Sequence, residues 1–266
     1  MSGFSAQWLA MREPYDQAAR SSAVLDALAA AFAGATTVTV TDLGCGTGST
    51  MRAISPRLPA HQSWRLVDND EVLLAAARKA TPFGVNVTTV ATDLAGNIEQ
   101  AIGACDLVAT SALLDLVSAG WLDRLVTSLL RLSCPLYAGL SYDGGVVLTP
   151  GTRYDDAVIA AVNRHQRTDK GFGPALGPDA AQAASEQFRR AGFMVLQGRS
   201  DWRFGADDRN IQIEMLAGWA RAASEIGVDP TILEEWLRER RDYTRNGRSQ
   251  MRVGHIDFFA TPTGRR

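Results

Sequence analysis

Apolar and polar positions change period near residue 36, and that change divides the chain. Over residues 5–33 the apolar side chains Trp8, Leu9, Met11, Tyr15, Ala18 and Ala19, then Val24, Leu25 and Leu28, recur at helical spacing, which predicts one or two amphipathic helices. Short β-rich runs follow at 37–43, 63–67, 86–91, 106–110 and 135–141, separated by helical stretches that are clearest at 71–80 and 121–132. Strands alternating with helices of this length call for a parallel sheet built from right-handed crossovers, so the fold class is α/β. The rhythm breaks over 142–178, where glycines and prolines surround one predicted helix at 155–166. A stretch this irregular inside a compact domain reads as a substrate lid or binding loop. Helical pattern returns at 179–191, a strand is expected at 193–198, polar-faced helices at 208–225 and 230–243, and an alternating last strand at 251–259. The economical division is one domain over 1–266, with a helical cap (1–35), a core (36–141), a lid (142–178) and the C-terminal part of the sheet with its helices (179–266).

Composition narrows the partners. The chain has 266 residues and a formal net charge of -2, so global charge gives no reason to expect nucleic acid or an anionic membrane. No run of about 18 apolar residues suggests a membrane span, and the first residues lack a signal-peptide pattern, which makes a soluble cytoplasmic protein the expectation. Cys45, Cys105 and Cys134 are odd in number and far apart along the chain, and they read as reduced, mostly buried thiols. No metal-ligand cluster stands out among the scattered His and Cys residues.

The chemistry begins at "VTDLGCGTGST", residues 40–50, where Gly44, Gly46 and Gly48 follow a β-rich run directly. In a strand-to-helix turn the first glycine permits the tight turn, the second lets a ligand approach the backbone, and the third allows close packing of the helix. A dinucleotide site favours G-x-G-x-x-G, whereas Ser49 stands where the last glycine of that pattern would fall.

The chain here resembles the class I S-adenosylmethionine-dependent methyltransferases. "VTDLGCGTGS" is similar to that family's first motif, with Asp42 before Gly44, Cys45, Gly46 and Gly48; "WRLVDND" ends a second strand in Asp68, followed by Asn69. "VATDLA" resembles the adenine-contacting turn, at Asp93 and Leu94, and "CDLVATSALLDL" resembles the strand beside the methyl group, with Ser111, Leu114 and Asp115 at its exit. The resemblance covers about residues 36–120 and implies a doubly wound, mostly parallel, seven-stranded Rossmann-like sheet with helices on both faces and an irregular or helical insertion after strand 5. It implies S-adenosylmethionine as cofactor, S-adenosylhomocysteine as product, and Asp68 on the ribose hydroxyls. Amides around Gly44–Gly46 could serve the cofactor's carboxylate and carbonyls of the same turn its ammonium. Arg20 could grip that carboxylate bidentately, or be a solvated helix residue, and Tyr15 is a neighbouring candidate for substrate contact. Asp42 could instead bond the turn's amides, while Asp68 and Asp93 could cap helices.

On the acceptor side, "NRHQRTDKGFGPALGP" is the densest polar stretch. His165 is a candidate general base that could equally be a helix-end or surface residue; Arg167 and Lys170 would suit an anionic substrate or simply be solvated; Phe172 could close over it. Tyr142 and Trp202, expected just after the fifth and sixth strands, are candidate pocket walls, Tyr142 also a catalytic one, and Asp115 a substrate contact. His255 reads as packed. The absence of a Pro-Pro-aromatic motif after the fourth strand and of a catalytic Pro-Cys argues against nucleic-acid methylation and leaves transfer to O or N of a small molecule. The alternatives are an NAD(P)-dependent oxidoreductase and a non-catalytic S-adenosylmethionine-binding module. Oligomeric state is not legible.

Overall fold

A computed structural model describes residues 4–263. Its strands are β1 (Thr37–Leu43), β2 (His61–Asp68), β3 (Val85–Ala91), β4 (Leu107–Ser111), β5 (Leu136–Thr149), β6 (Phe193–Arg199), β7 (Trp202–Phe204) and β8 (Gln250–Pro262). Its α-helices are α1 (Ala6–Ala19), α2 (Ser22–Phe32), α3 (Ser49–Ile54), α4 (Glu71–Lys79), α5 (Ile98–Ile102), α6 (Ala119–Leu132), α7 (Asp155–Gln166), α8 (Ala180–Arg190), α9 (Arg209–Glu225) and α10 (Pro230–Arg245). The sheet runs β3-β2-β1-β4-β5-β8-β6. Neighbours from β3 to β5 are parallel, while β8 is antiparallel to both β5 and β6.

The expected α/β architecture is present, with one strand more than the expected seven among the described residues: β7 adds three residues alongside β8. The larger correction concerns residues 142–149. They continue β5 and pair with β8 as far as Thr149↔Gln250, so the irregular stretch begins after the strand rather than at Tyr142. Gly144 and Gly145 misled because they lie at a bulge: register shifts fall between Tyr142 and Val146, and Gly144 has φ 81°. An earlier irregularity between Ala138 and Ser141 puts Leu140 at φ 56°, and the buried Asp257 of β8 accepts the Leu140 N–H at 2.7 Å there.

Local sequence explains the placement of the helices. Asp70 caps α4, accepting from the amides of Val72 and Leu73 at 2.8 and 3.2 Å, which leaves Asp68 free of that duty. Ser118 caps α6, whose buried stripe of Trp121, Leu122, Leu125, Val126 and Leu129 follows helical spacing. Each such side chain contributes roughly 1.5–3 kcal/mol by leaving water. On one face of the sheet, α5, α6 and α8 enclose a core around Trp121, Phe188 and Phe258. On the other, α2, α3 and α4 pack around Trp64, Met51 and Leu28. A third core joins α7, α9 and α10 to the extended ends of β5 and β8. There Arg240 of α10, fully buried, donates Nε to Asp155 at the start of α7 at 2.9 Å, bonds the same carboxylate through Nη2, and reaches the Pro150 carbonyl at 2.8 Å.

Of the three thiols, Cys45 and Cys134 are buried and Cys105 is half-buried. Folding brings Cys105 and Cys134, distant along the chain, to an Sγ–Sγ separation of 3.7 Å.

Candidate cofactor and acceptor site

Strand order reverses at β1, which pairs β2 on one side and β4 on the other, and such a switch point opens a crevice at the C-terminal strand ends. The glycine turn leaves β1 there. Gly46 has φ 54°, and a side chain on it would approach Leu9 of α1 within 3.2 Å; one on Gly48 would meet Ala77 of α4 at 3.3 Å. The turn is thus roofed by α1 and backed by α4. Helix α1 is tied down by Glu13, which binds Arg52 of α3 through two 2.6 Å contacts, and by Tyr15, whose hydroxyl donates to Asp208 at 2.6 Å.

The turn's amides are largely engaged. Cys45 N–H donates to Val67 O at 3.0 Å, Gly48 N–H to Cys45 O at 2.8 Å, and Gly46 N–H to Asp68 Oδ2 at 2.8 Å. This corrects the expectation that the Gly46 amide is free to hold an anion. Asp68 Oδ1 accepts from Asp70 N–H at 3.0 Å, so each oxygen has one backbone donor and one lone pair left over. Asn69 beside it is exposed. Asp93 is exposed too and accepts from Ala95 N–H at 2.9 Å, while Leu94 is buried and its carbonyl takes the Trp121 indole at 2.6 Å.

Asp42 does not bond the turn's amides. It is fully buried, and neither carboxylate oxygen has a partner among the described residues. Burial pushes its pKa to about 8, with Asp68 adding to the rise while Arg20 and Arg52 oppose it. Arg20, the residue after α1, is also buried rather than solvated; its Nη1 donates to Tyr137 Oη at 2.7 Å and Ser111 Oγ at 3.1 Å. Its Nε and Nη2 have no partner among the described residues. Burial works against the guanidinium charge, but Tyr137, Asp257 and Asp16 outweigh it and hold the pKa up. Asp257 also accepts from Ser21 N–H at 3.0 Å, so it fixes the backbone beside Arg20. Gly139 completes the socket, because a Cβ there would lie 2.5 Å from Arg20 Nη1. Sequence reasoning missed Tyr137, Gly139 and Asp257; their only trace was a polar residue or a glycine inside an apolar strand.

The acceptor-side candidates divide. Tyr142, Trp202 and Asp115 gather with Arg12, Asp16 and His255. The Trp202 ring lies 4.7 Å from His255 and its indole donates to Asp16 at 3.0 Å, while Tyr142 meets His255 edge-on at 6.0 Å. Tyr142 lies within β5 rather than after it, whereas Trp202 does follow β6, where it opens the short β7. The Tyr142 hydroxyl donates to Asn163 at 2.8 Å, and burial, with Asp143 and Asp115 nearby, raises its pKa and keeps the phenol protonated. His165 is not brought there: its Nε2 contacts Glu225 at 2.8 Å and its Nδ1 lies 3.2 Å from Lys170 Nζ, which also donates to Thr168. The physical reason is helical phase, since Asn163, two positions earlier on α7, takes the inward face. Arg167 bonds Asp179 and the Asn163 carbonyl, so it ties the end of α7 to the turn before α8. Phe172 packs edge-on against Trp121 at 5.8 Å, the ring whose indole donates to the Leu94 carbonyl. Among the described residues no helix is long and apolar enough to cross a membrane.

Residues 40–135 match a family described as a methyltransferase domain. No curated protein is close enough in sequence to count as a relative. Solved structures share the fold. The YcgJ protein of Bacillus subtilis is 13% identical with a TM-score of 0.51, over 91% of this chain and 99% of that one. A provisionally named methyltransferase of Bacillus halodurans is 16% identical, TM-score 0.51, over 91% and 100%. A cyclopropane-fatty-acyl-phospholipid synthase-like protein of Lactobacillus casei is 13% identical, TM-score 0.52, over 94% and 98%. Residues 40–135 are therefore similar to a methyltransferase domain, set in a fold that the chain shares with these solved structures.

Proposed function

We propose that this chain transfers the methyl group of S-adenosylmethionine to oxygen or nitrogen of a small molecule met in the cytoplasm. The observation that carries this reading is the pair of buried side chains with unsatisfied polar atoms, Asp42 and Arg20, beside the glycine turn. Asp42 offers two free carboxylate oxygens and Arg20 two free N–H groups, and the amino-acid tail of the cofactor carries the complementary ammonium and carboxylate. A diphosphate would instead set anionic charge against Asp42, at a turn whose Cys45, Gly46 and Gly48 amides are engaged. In this reading Asp68 accepts the ribose hydroxyls, Asn69 and the Asp93–Leu94 turn flank the adenine, and Ser111 helps Arg20. When bound, the sulfonium supplies an electrophilic methyl whose S–C bond breaks, with its electron pair left on sulfur, as the acceptor's lone pair forms the new bond. The protein's part is alignment, exclusion of water and management of the acceptor's proton.

Calorimetric titration of the purified chain with S-adenosylmethionine, S-adenosylhomocysteine and NAD tests the reading. Micromolar binding of the first two alone supports it, and preferential NAD binding overturns it. Asp68→Ala should weaken S-adenosylhomocysteine binding by about 1–3 kcal/mol without unfolding the protein, through lost hydrogen bonds. Gly139→Ala should displace the Arg20 guanidinium and weaken binding about tenfold or more, ~1.4 kcal/mol. Unchanged affinity in the Gly139 variant would take Arg20 out of the binding surface. Cofactor binding without transfer to any acceptor would leave a non-catalytic module.

A further inference from the structure

Beside the cofactor crevice a second polar demand is unmet. Asp115 follows β4 at the C-terminal edge of the sheet; it is 6% exposed, and its Oδ1 has no partner among the described residues. The lid is laced across this point: Gly177 N–H donates to the Asp115 carbonyl at 2.9 Å, and Leu176 N–H to that of Val117 at 2.8 Å. Arg12 of α1 and the Tyr142 amide of β5 face the carboxylate.

The charges around it leave one negative unit over. Arg12 bonds Asp16 at 2.9 Å and lies 5.4 Å from the Trp202 ring centre, so Arg12 and Asp16 neutralise each other. Asp143, on the far side of Tyr142, is taken by Gly145 N–H and Arg199. His255 contributes no charge, because burial and then Arg12 lower its pKa to about 3. Its Nδ1 lies 3.1 Å from the Val253 carbonyl, which can only accept, so Nδ1 carries the proton and Nε2 stays an acceptor. The result is a buried carboxylate beside the rings of Tyr142, Trp202 and His255.

Building on the methyl-transfer reading above, we infer that this cluster holds the acceptor, that the acceptor is an amine on an apolar, ring-sized body, and that Asp115 binds its ammonium and removes one proton. An ammonium satisfies both the empty lone pairs and the uncompensated charge. A neutral hydroxyl donates one hydrogen bond and leaves the charge, and a carboxylate acceptor adds a second anion in a buried place. The proton passes from R–NH3+ to the Asp115 carboxylate, giving a neutral acid and an amine whose nitrogen lone pair is free to take the methyl. Asp115 returns that proton to water when the methylated ammonium leaves. Burial is the main reason its pKa is raised to about 6, with its own amide, Arg12 and the Tyr142 amide pulling it down, and this suits a base working near neutrality.

The test uses the full chain saturated with S-adenosylhomocysteine and three matched probes: phenethylamine, phenethyl alcohol and phenylacetate. Calorimetry should show the amine binding at least tenfold tighter than the other two, with affinity climbing as pH rises through about 6. Asp115→Asn, close in shape, should lose at least tenfold in amine affinity and the pH dependence, while its S-adenosylhomocysteine affinity stays as in the parent and it unfolds at no lower a temperature, because asparagine carries no buried charge. Equal or tighter binding of the alcohol or the acid, an unaffected Asn variant, or no binding of any probe overturns the inference and leaves the cofactor reading intact. Failure of S-adenosylhomocysteine itself to bind overturns the cofactor reading, and this inference with it.

Discussion

Replacing Asp42 by asparagine is expected to make the ligand-free protein progressively more stable than the parent as pH rises from 5 to 8, by up to about 4 kcal/mol at the upper end. The folded-state pKa of Asp42 is raised to about 8, chiefly by burial, from an ordinary value near 4. The folded protein therefore holds this proton more tightly than the unfolded chain does. Each pH unit above the unfolded value costs the parent about 1.4 kcal/mol until the folded pKa is reached, and asparagine carries no such burden. Urea unfolding of both proteins at pH 5, 6, 7 and 8 measures the difference directly. Parallel stability curves would mean that Asp42 is ionised and stabilised in the fold, contrary to its unpartnered oxygens. Binding should run the other way. An ammonium brought to Asp42 compensates the buried charge, so S-adenosylhomocysteine should bind the parent more tightly than the variant at pH 8. On the proposed reading, the site gives up stability in the free protein to gain binding energy with its ligand.

The second large effect lies away from the cofactor. Arg240→Ala is expected to destabilise the protein by about 3–5 kcal/mol, because it leaves the Asp155 carboxylate buried without its cation. Trp236 and Thr152 still donate to Asp155, at 2.9 and 2.7 Å, but they carry no charge. Burial by itself would raise the Asp155 pKa; the bond from Arg240 and those from Thr152 and Trp236 outweigh it and hold the value down. Lysine at 240 should recover little, since one ammonium cannot reproduce the two-pronged contact with Asp155 and the bond to Pro150. Denaturant unfolding gives the loss, and a value below about 1 kcal/mol would show that the pair is dispensable. Because Asn163 of α7 holds the Tyr142 hydroxyl, a weakened α7–α10 junction should disturb the acceptor side before the cofactor side.

Several parts of this protein are legible without coordinates because their causes are local. Thr37–Leu43 is a strand because β-branched residues dominate it, and Gly46 and Gly48 turn the chain because they adopt left-handed backbone angles. Helix α7 was recognisable inside an irregular stretch from its apolar spacing alone. The same local logic fails at Gly144 and Gly145, since a bulge and a loop use the same residues and only the pairing partner tells them apart. It fails again at His165: a histidine among lid charges has the composition of a catalytic residue, yet the turn of the helix directs it to Glu225.

By itself, then, the sequence determined the α/β alternation, the glycine turn and the acid that ends β2, each encoded in a short stretch whose conformation depends on its own residues. Only the tertiary structure decided which charges lose their water. Arg20, Asp42 and Asp115 come from three separate segments, and Tyr137 and Gly139 of β5 meet Asp257 of β8, so burial with or without a partner is a property of their neighbours in space. Charge chemistry in a low-dielectric interior depends on those neighbours, so the binding and acceptor surfaces emerge when the strands and α1 are assembled.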